Sequence, residues 1–158
     1  MQRFLIVSGF ALILAGALFG GMYASVFLAD TKISQSDAMK EAFEIAGESP
    51  SSASRLGDLF VRKMLYDDRM ASTHGHMTLM GITSLVIGNF IATFRLSRKL
   101  LMSASILLVF SGFLLPIGVL AESWQVKLGA YSAVAGGTLF TFAILLFFIG
   151  YLRGMKSL

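Results

Sequence analysis

The chain has 158 residues, 56% of them hydrophobic, with a formal charge of +4 and no cysteine. Its mean hydropathy of +0.76 marks a chain more apolar than an ordinary soluble domain, in which roughly 45–50% of residues are apolar. Disulfides, thiolate metal sites and catalytic thiols are excluded. The positive charge lies at the ends of apolar stretches, where it reads as orientation and lipid-headgroup contact; no nucleic-acid partner is expected.

Four apolar stretches, at about 4–29, 74–94, 100–121 and 128–152, divide the chain. Each is long enough to cross a hydrocarbon core of about 30 Å at roughly 1.5 Å per residue. The expected fold is all-α: a single four-transmembrane-helix antiparallel bundle, left-handed, with a long, partly helical extracytoplasmic loop between the first two spans.

The first stretch begins like a signal peptide, with Met1-Gln2-Arg3 ahead of an apolar run. That run continues to Ala29, longer than a signal h-region, and so reads as a retained span. It carries two ridges of small residues, Gly16/Gly20/Ala24 and Ala17/Gly21/Ser25, which let another helix approach closely. Tyr23 lies near its outer end, either as an interfacial anchor or as a partner for a site there.

In the outer segment, about 30–72, Met39, Ala42, Phe43 and Ala46 recur at helical spacing and predict an amphipathic helix from Ser36 to Ala46. Gly47 and Pro50 are expected to end it, with a turn region over Ser49–Ser54. Leu56, Leu59, Phe60 and Met64 then predict a second amphipathic helix, the pair lying on the outer membrane surface or capping the bundle. Arg55, Arg62, Lys63 and Arg69 read as a solvated face balancing the outer acids.

The second span opens with His74-Gly75-His76-Met77 and carries the ridge Ser84/Gly88/Ala92. The third contains Pro116, which removes a backbone donor and bends a helix. The fourth carries Gly129/Ala133/Gly137/Thr141. Glu122, Trp124 and Tyr131 flank the outer turn before it. Trp124 and Tyr131 read first as interfacial anchors, whereas Glu122, and in a second reading Tyr131, is placed to steady a histidine.

The charges orient the bundle. Arg3, Arg95, Arg98, Lys99, Arg153 and Lys156 flank the spans at one side with no acid among them. Of the nine acids, eight fall between Asp30 and Asp68 and the ninth is Glu122. By the positive-inside rule both termini are cytoplasmic and the 30–72 segment is outside, in a bacterial inner membrane.

His74 and His76, the chain's two histidines, sit where the second span enters the membrane, and three readings stay open for them. They hydrogen-bond to headgroups, to Glu122 or to Asp67 and Asp68. Alternatively, one ligates a b-type haem, for which imidazole is the usual axial donor. Residues i and i+2 diverge by about 200° on a helix, so one haem takes only one of them; Met22, Met77, Met80 or a second chain would fill the sixth position. In the third reading His74, His76, Met77 and Met80 hold copper, since thioethers with imidazole suit Cu(I).

The stretch Met70–Phe90, with its His-Gly pair, a methionine soon after, and Gly88-Asn89-Phe90 at the far end, resembles the second helix of haem–copper oxidase subunit I. The resemblance implies that His74 ligates a low-spin haem near the outer face. That family takes its other haem ligand and its copper ligands from helices with no counterpart here, so this chain is not expected to be an oxidase on its own.

The four stretches carry no charged residue in their interiors, although pumps and proton-coupled transporters usually need them. There is no phosphate loop, no His-Glu-x-x-His and no Gly-x-Ser-x-Gly. The leading expectation is therefore a small membrane subunit that binds a redox cofactor, haem b before copper, and serves electron transfer or quinol chemistry. The alternative is a cofactor-free assembly subunit. In both cases its partners are the bilayer and either further copies of itself or a larger membrane complex.

Overall fold

The computed structural model describes residues 1–124 and 127–155, with backbone alone for 27–31. Lys156 lies outside the described residues. Of these residues 93% are helical and none is in a strand. In order they form α1 (Gln2–Met22), a π-helical turn (Tyr23–Phe27), α2 (Leu28–Ile45), α3 (Pro50–Asn89), a 3₁₀ turn (Ile91–Thr93), α4 (Arg98–Ser123) and α5 (Lys127–Met155).

Three helices are long and apolar enough to cross a membrane: Gln2–Val26, Arg98–Ser123 and Lys127–Met155. The stretch expected as the second span, 74–94, is not among them. It forms the last part of α3, a 40-residue helix whose first half is charged, followed by the 3₁₀ turn and an extended link to α4. That second half nevertheless packs along α1 on one side and α4 on the other, and α4 in turn packs on α5.

The expected turn over Ser49–Ser54 is corrected. Pro50 occupies the first turn of α3, where its missing N–H costs nothing and its fixed φ suits a helix start. Helix then continues without a break to Asn89, joining what read as an outer amphipathic helix to the apolar stretch. Met70 and Thr73, at that junction, are buried. α1 likewise passes through the π turn into α2, so the 30–72 segment, expected to be partly helical, is a helical hairpin. At about 1.5 Å per residue, α2 extends some 27 Å beyond the π turn.

The α2 face is corrected as well. Ala38, not Phe43, is the buried residue, and Phe43 is 74% exposed. Of the expected stripe, Met39 and Ala42 are half-buried, whereas Phe43 and Ala46 are exposed.

Glycines set the helix crossings. A Cβ on Gly9 would lie 2.8 Å from the Gly81 carbonyl oxygen, and one on Gly81 would lie 2.7 Å from that of Gly9. Gly88 meets Leu5 and Ile6 in the same α1–α3 seam, while Gly118, Gly129 and Gly136 bring α5 onto α4. Of the two ridges on α1, only Gly16/Gly20 faces α3; Gly21 has nothing within 4 Å. Near the basic end Leu5, Ile87, Ala104, Leu108, Ala143 and Phe147 form the core, with the Phe94 and Phe147 rings edge-to-face at 5.1 Å. Pro116 is fully buried inside α4, which continues past it to Ser123.

Candidate functional site

His74 is positioned by α1. Gly16, Gly20 and Tyr23 lie at i, i+4 and i+7 on the side of α1 that meets α3. The imidazole lies flat on Gly20, where an added Cβ would be 2.6 Å from Nδ1. Nδ1 is 2.6 Å from the Gly16 carbonyl oxygen. A carbonyl only accepts, so Nδ1 carries the proton and Nε2 of the neutral ring keeps its lone pair. A histidine that binds a metal usually makes this same contact with its other ring nitrogen.

His74 lines a cleft of about 610 Å³ together with Gly20, Tyr23, Met64, Asp67 and Asp68. The π turn closes one side of it. Such turns hold one extra residue per turn and are frequent at functional sites. The Tyr23 hydroxyl donates to Asp67 Oδ1, and Gln35 Nε2 donates to Asp67 Oδ2 at 2.7 Å. α1, α2 and α3 are thus tied together at one carboxylate. Lys32 from α2 also reaches the cleft.

The expected constellation comes together only in part. His76 is half-buried on the face of α3 that carries Thr73 and Met80, and it does not line the cleft. Met77 packs beside Gly16. Met80 is 3% exposed in the helix interface. His74, His76, Met77 and Met80 therefore do not converge on one point. Among the described residues, no three His, Cys, Asp or Glu side chains come together as a metal site.

Glu122 does not reach the histidines. It pairs with Arg69, whose Nη2 is 2.8 Å from Oε1 and whose Nη1 donates to the Glu122 carbonyl oxygen at 3.0 Å. Arg69 thereby ties α3 to the end of α4 and is not part of a solvated face. Tyr131 and Trp124 are 75% and 63% exposed, in keeping with an anchoring place at an interface. Tyr23 has a partner, Asp67 and not a histidine.

Sequence reasoning missed Gln35 and Lys32 as site residues, and it paired Asp67 with the histidines, whereas Asp67 accepts from Tyr23 and Gln35. The signal for Asp67 was present: it lies seven residues before His74, two turns away on the same helix face. Gln35 and Lys32 carry no such signal, since they reach the cleft only because α2 folds back along α3.

Compared with protein-family models, curated proteins and solved structures, the chain matches none.

Proposed function

We propose that this chain is a small membrane subunit that holds a redox cofactor, haem b foremost, with His74 as the protein ligand. The observation that carries the reading is the Gly16–His74 hydrogen bond, which leaves Nε2 as a donor atom beside an open cleft. The membrane frame is four spans, with the second half of α3 as the second of them. It is supported by that half packing between α1 and α4, and by the unmixed basic residues at one end of the bundle. Both termini are then cytoplasmic, and the α2–α3 hairpin stands outside the membrane.

The residues fit a haem in part. Gly20, Gly21, Ala24 and Ala71 leave a flat, small-residue floor beside the imidazole. Lys32 supplies a cation for a propionate, whereas Asp67 and Asp68 oppose one. His74 would hold such a group, and Met64, which lines the same cleft, or a residue of another chain would be the second ligand. A bound haem would supply a one-electron couple. The protein's part is to fix the imidazole tautomer and to carry the cofactor at the membrane surface, within reach of a quinol or another electron carrier.

Haem titration into the purified protein tests this. His74→Ala is expected to abolish stoichiometric binding and His76→Ala to keep it. Equal retention by both variants rules out His74 as the ligand.

A second reading, a cofactor-free assembly subunit, has its own support. Ile33, Phe43, Leu59, Val61, Met64 and Leu65 are 41–74% exposed on the charged hairpin, where a monomer in water would not keep them. Val61, Met64 and Leu65 share one face at i, i+3 and i+4. On this reading they meet a partner protein, and the purified protein is colourless.

A further inference from the structure

At the basic end, far from His74, an apolar groove of about 650 Å³ runs between the last turns of α3 and those of α5. Ile82, Val86 and Phe90 form one wall, Phe148 and Tyr151 the other, and all five are 47–58% exposed. From Ile82 to Phe90 the wall rises about 12 Å, close to the ~15 Å that one leaflet contributes to the hydrocarbon core. The segment after α3 closes the groove at its basic end. The Arg95 N–H donates to the Gly150 carbonyl oxygen at 2.9 Å, and Leu96 fills the space over Gly150.

That closure brings cations to the mouth. Arg95 follows the lining residue Phe94; Arg153, two residues past Tyr151, faces the other side of α5 with Ile149 and Leu152. Arg98 and Lys99 open α4 at the same end, and all four are exposed. Among the described residues no carboxylate pairs with them; the one ion pair joins Arg69 and Glu122. The result is an acyl-sized slot with positive charge at its basic end.

We infer that this groove binds an anionic phospholipid, with one acyl chain between α3 and α5 and the phosphate against Arg95, in the field of Arg98 and Lys99. Apolar slots topped by basic residues on the cytoplasmic side of a bundle suit such headgroups. The inference rests on the membrane reading but not on His74 or any cofactor.

The test uses the full chain in nanodiscs of phosphatidylglycerol and phosphatidylcholine with identical acyl chains. Lipid released into mild detergent with the protein is then identified by native mass spectrometry. The wild type is expected to retain one phosphatidylglycerol in preference to phosphatidylcholine. Arg95→Gln should lower that preference about fivefold, at roughly one surface charge, whereas Arg153→Gln, on the other face of α5, should change it far less. Val86→Trp, which fills the slot, should remove the retained lipid, whereas Val134→Trp on the far side of α5 should not. No headgroup preference in the wild type, or an unchanged preference in Arg95→Gln, overturns the inference. Extraction of the protein from membranes by alkaline carbonate would instead overturn the membrane reading beneath it.

Discussion

Gly81→Ala is expected to cost about 3 kcal/mol, the upper part of the range for overpacking a tight interior. The reason is geometric. The added Cβ would sit 2.7 Å from the Gly9 carbonyl oxygen and 3.0 Å from the Ile13 amide nitrogen. Both are backbone atoms, so no rotamer change relieves the contact. The helices must separate, and Gly88 against Leu5 and Gly16 against Met77 loosen with them. Chemical unfolding followed by circular dichroism in mild detergent measures the loss. Gly21→Ala is the control, because a Cβ there meets nothing within 4 Å. An undiminished Gly81→Ala protein would mean that α1 and α3 do not cross where described.

Gly20→Val is expected to remove cofactor binding while leaving both histidines in place. Its Cβ would fall 2.6 Å from His74 Nδ1 and 2.8 Å from Cε1. Here the neighbour is the end of a side chain, so the ring swings away and the fold survives. The Gly16 hydrogen bond breaks, and with it the control of tautomer and direction at Nε2. Losing such an orienting contact typically costs 10–100-fold in ligand affinity. Haem affinity should fall at least tenfold, with the unfolding midpoint moved far less than by Gly81→Ala. Unchanged affinity would show that the stacking of His74 on α1 does not serve a ligand.

Much of this was legible in the residues themselves. The Gly16/Gly20 ridge and the His74 position follow from spacing alone, and together they form the α1–α3 contact at the cleft. The three most apolar helices were equally plain. The course of the chain between them was not. Pro50 serves equally as a helix stop or a helix start, and only the helix that follows it decides. Ser72-Thr73-His74 reads as an entry into the membrane, yet Met70 and Thr73 are buried by neighbours distant in sequence, so α3 runs straight through. The π turn at Tyr23 has no glycine or proline to mark it. The Arg69–Glu122 pair joins residues 53 apart, which spacing along one helix cannot reveal. Hydrophobicity places Phe43 on the buried face of α2, yet Ala38 is the residue buried there and Phe43 is exposed.

The colour of the protein tests the cofactor reading most directly. The measurement is a visible spectrum of the full chain, purified in mild detergent from cells supplied with haem, first oxidised and then dithionite-reduced. A Soret band, with α and β bands that sharpen on reduction and vanish in His74→Ala, is the predicted result. A featureless spectrum in the folded, haem-supplied wild type would contradict the cofactor reading and leave the chain as an assembly subunit.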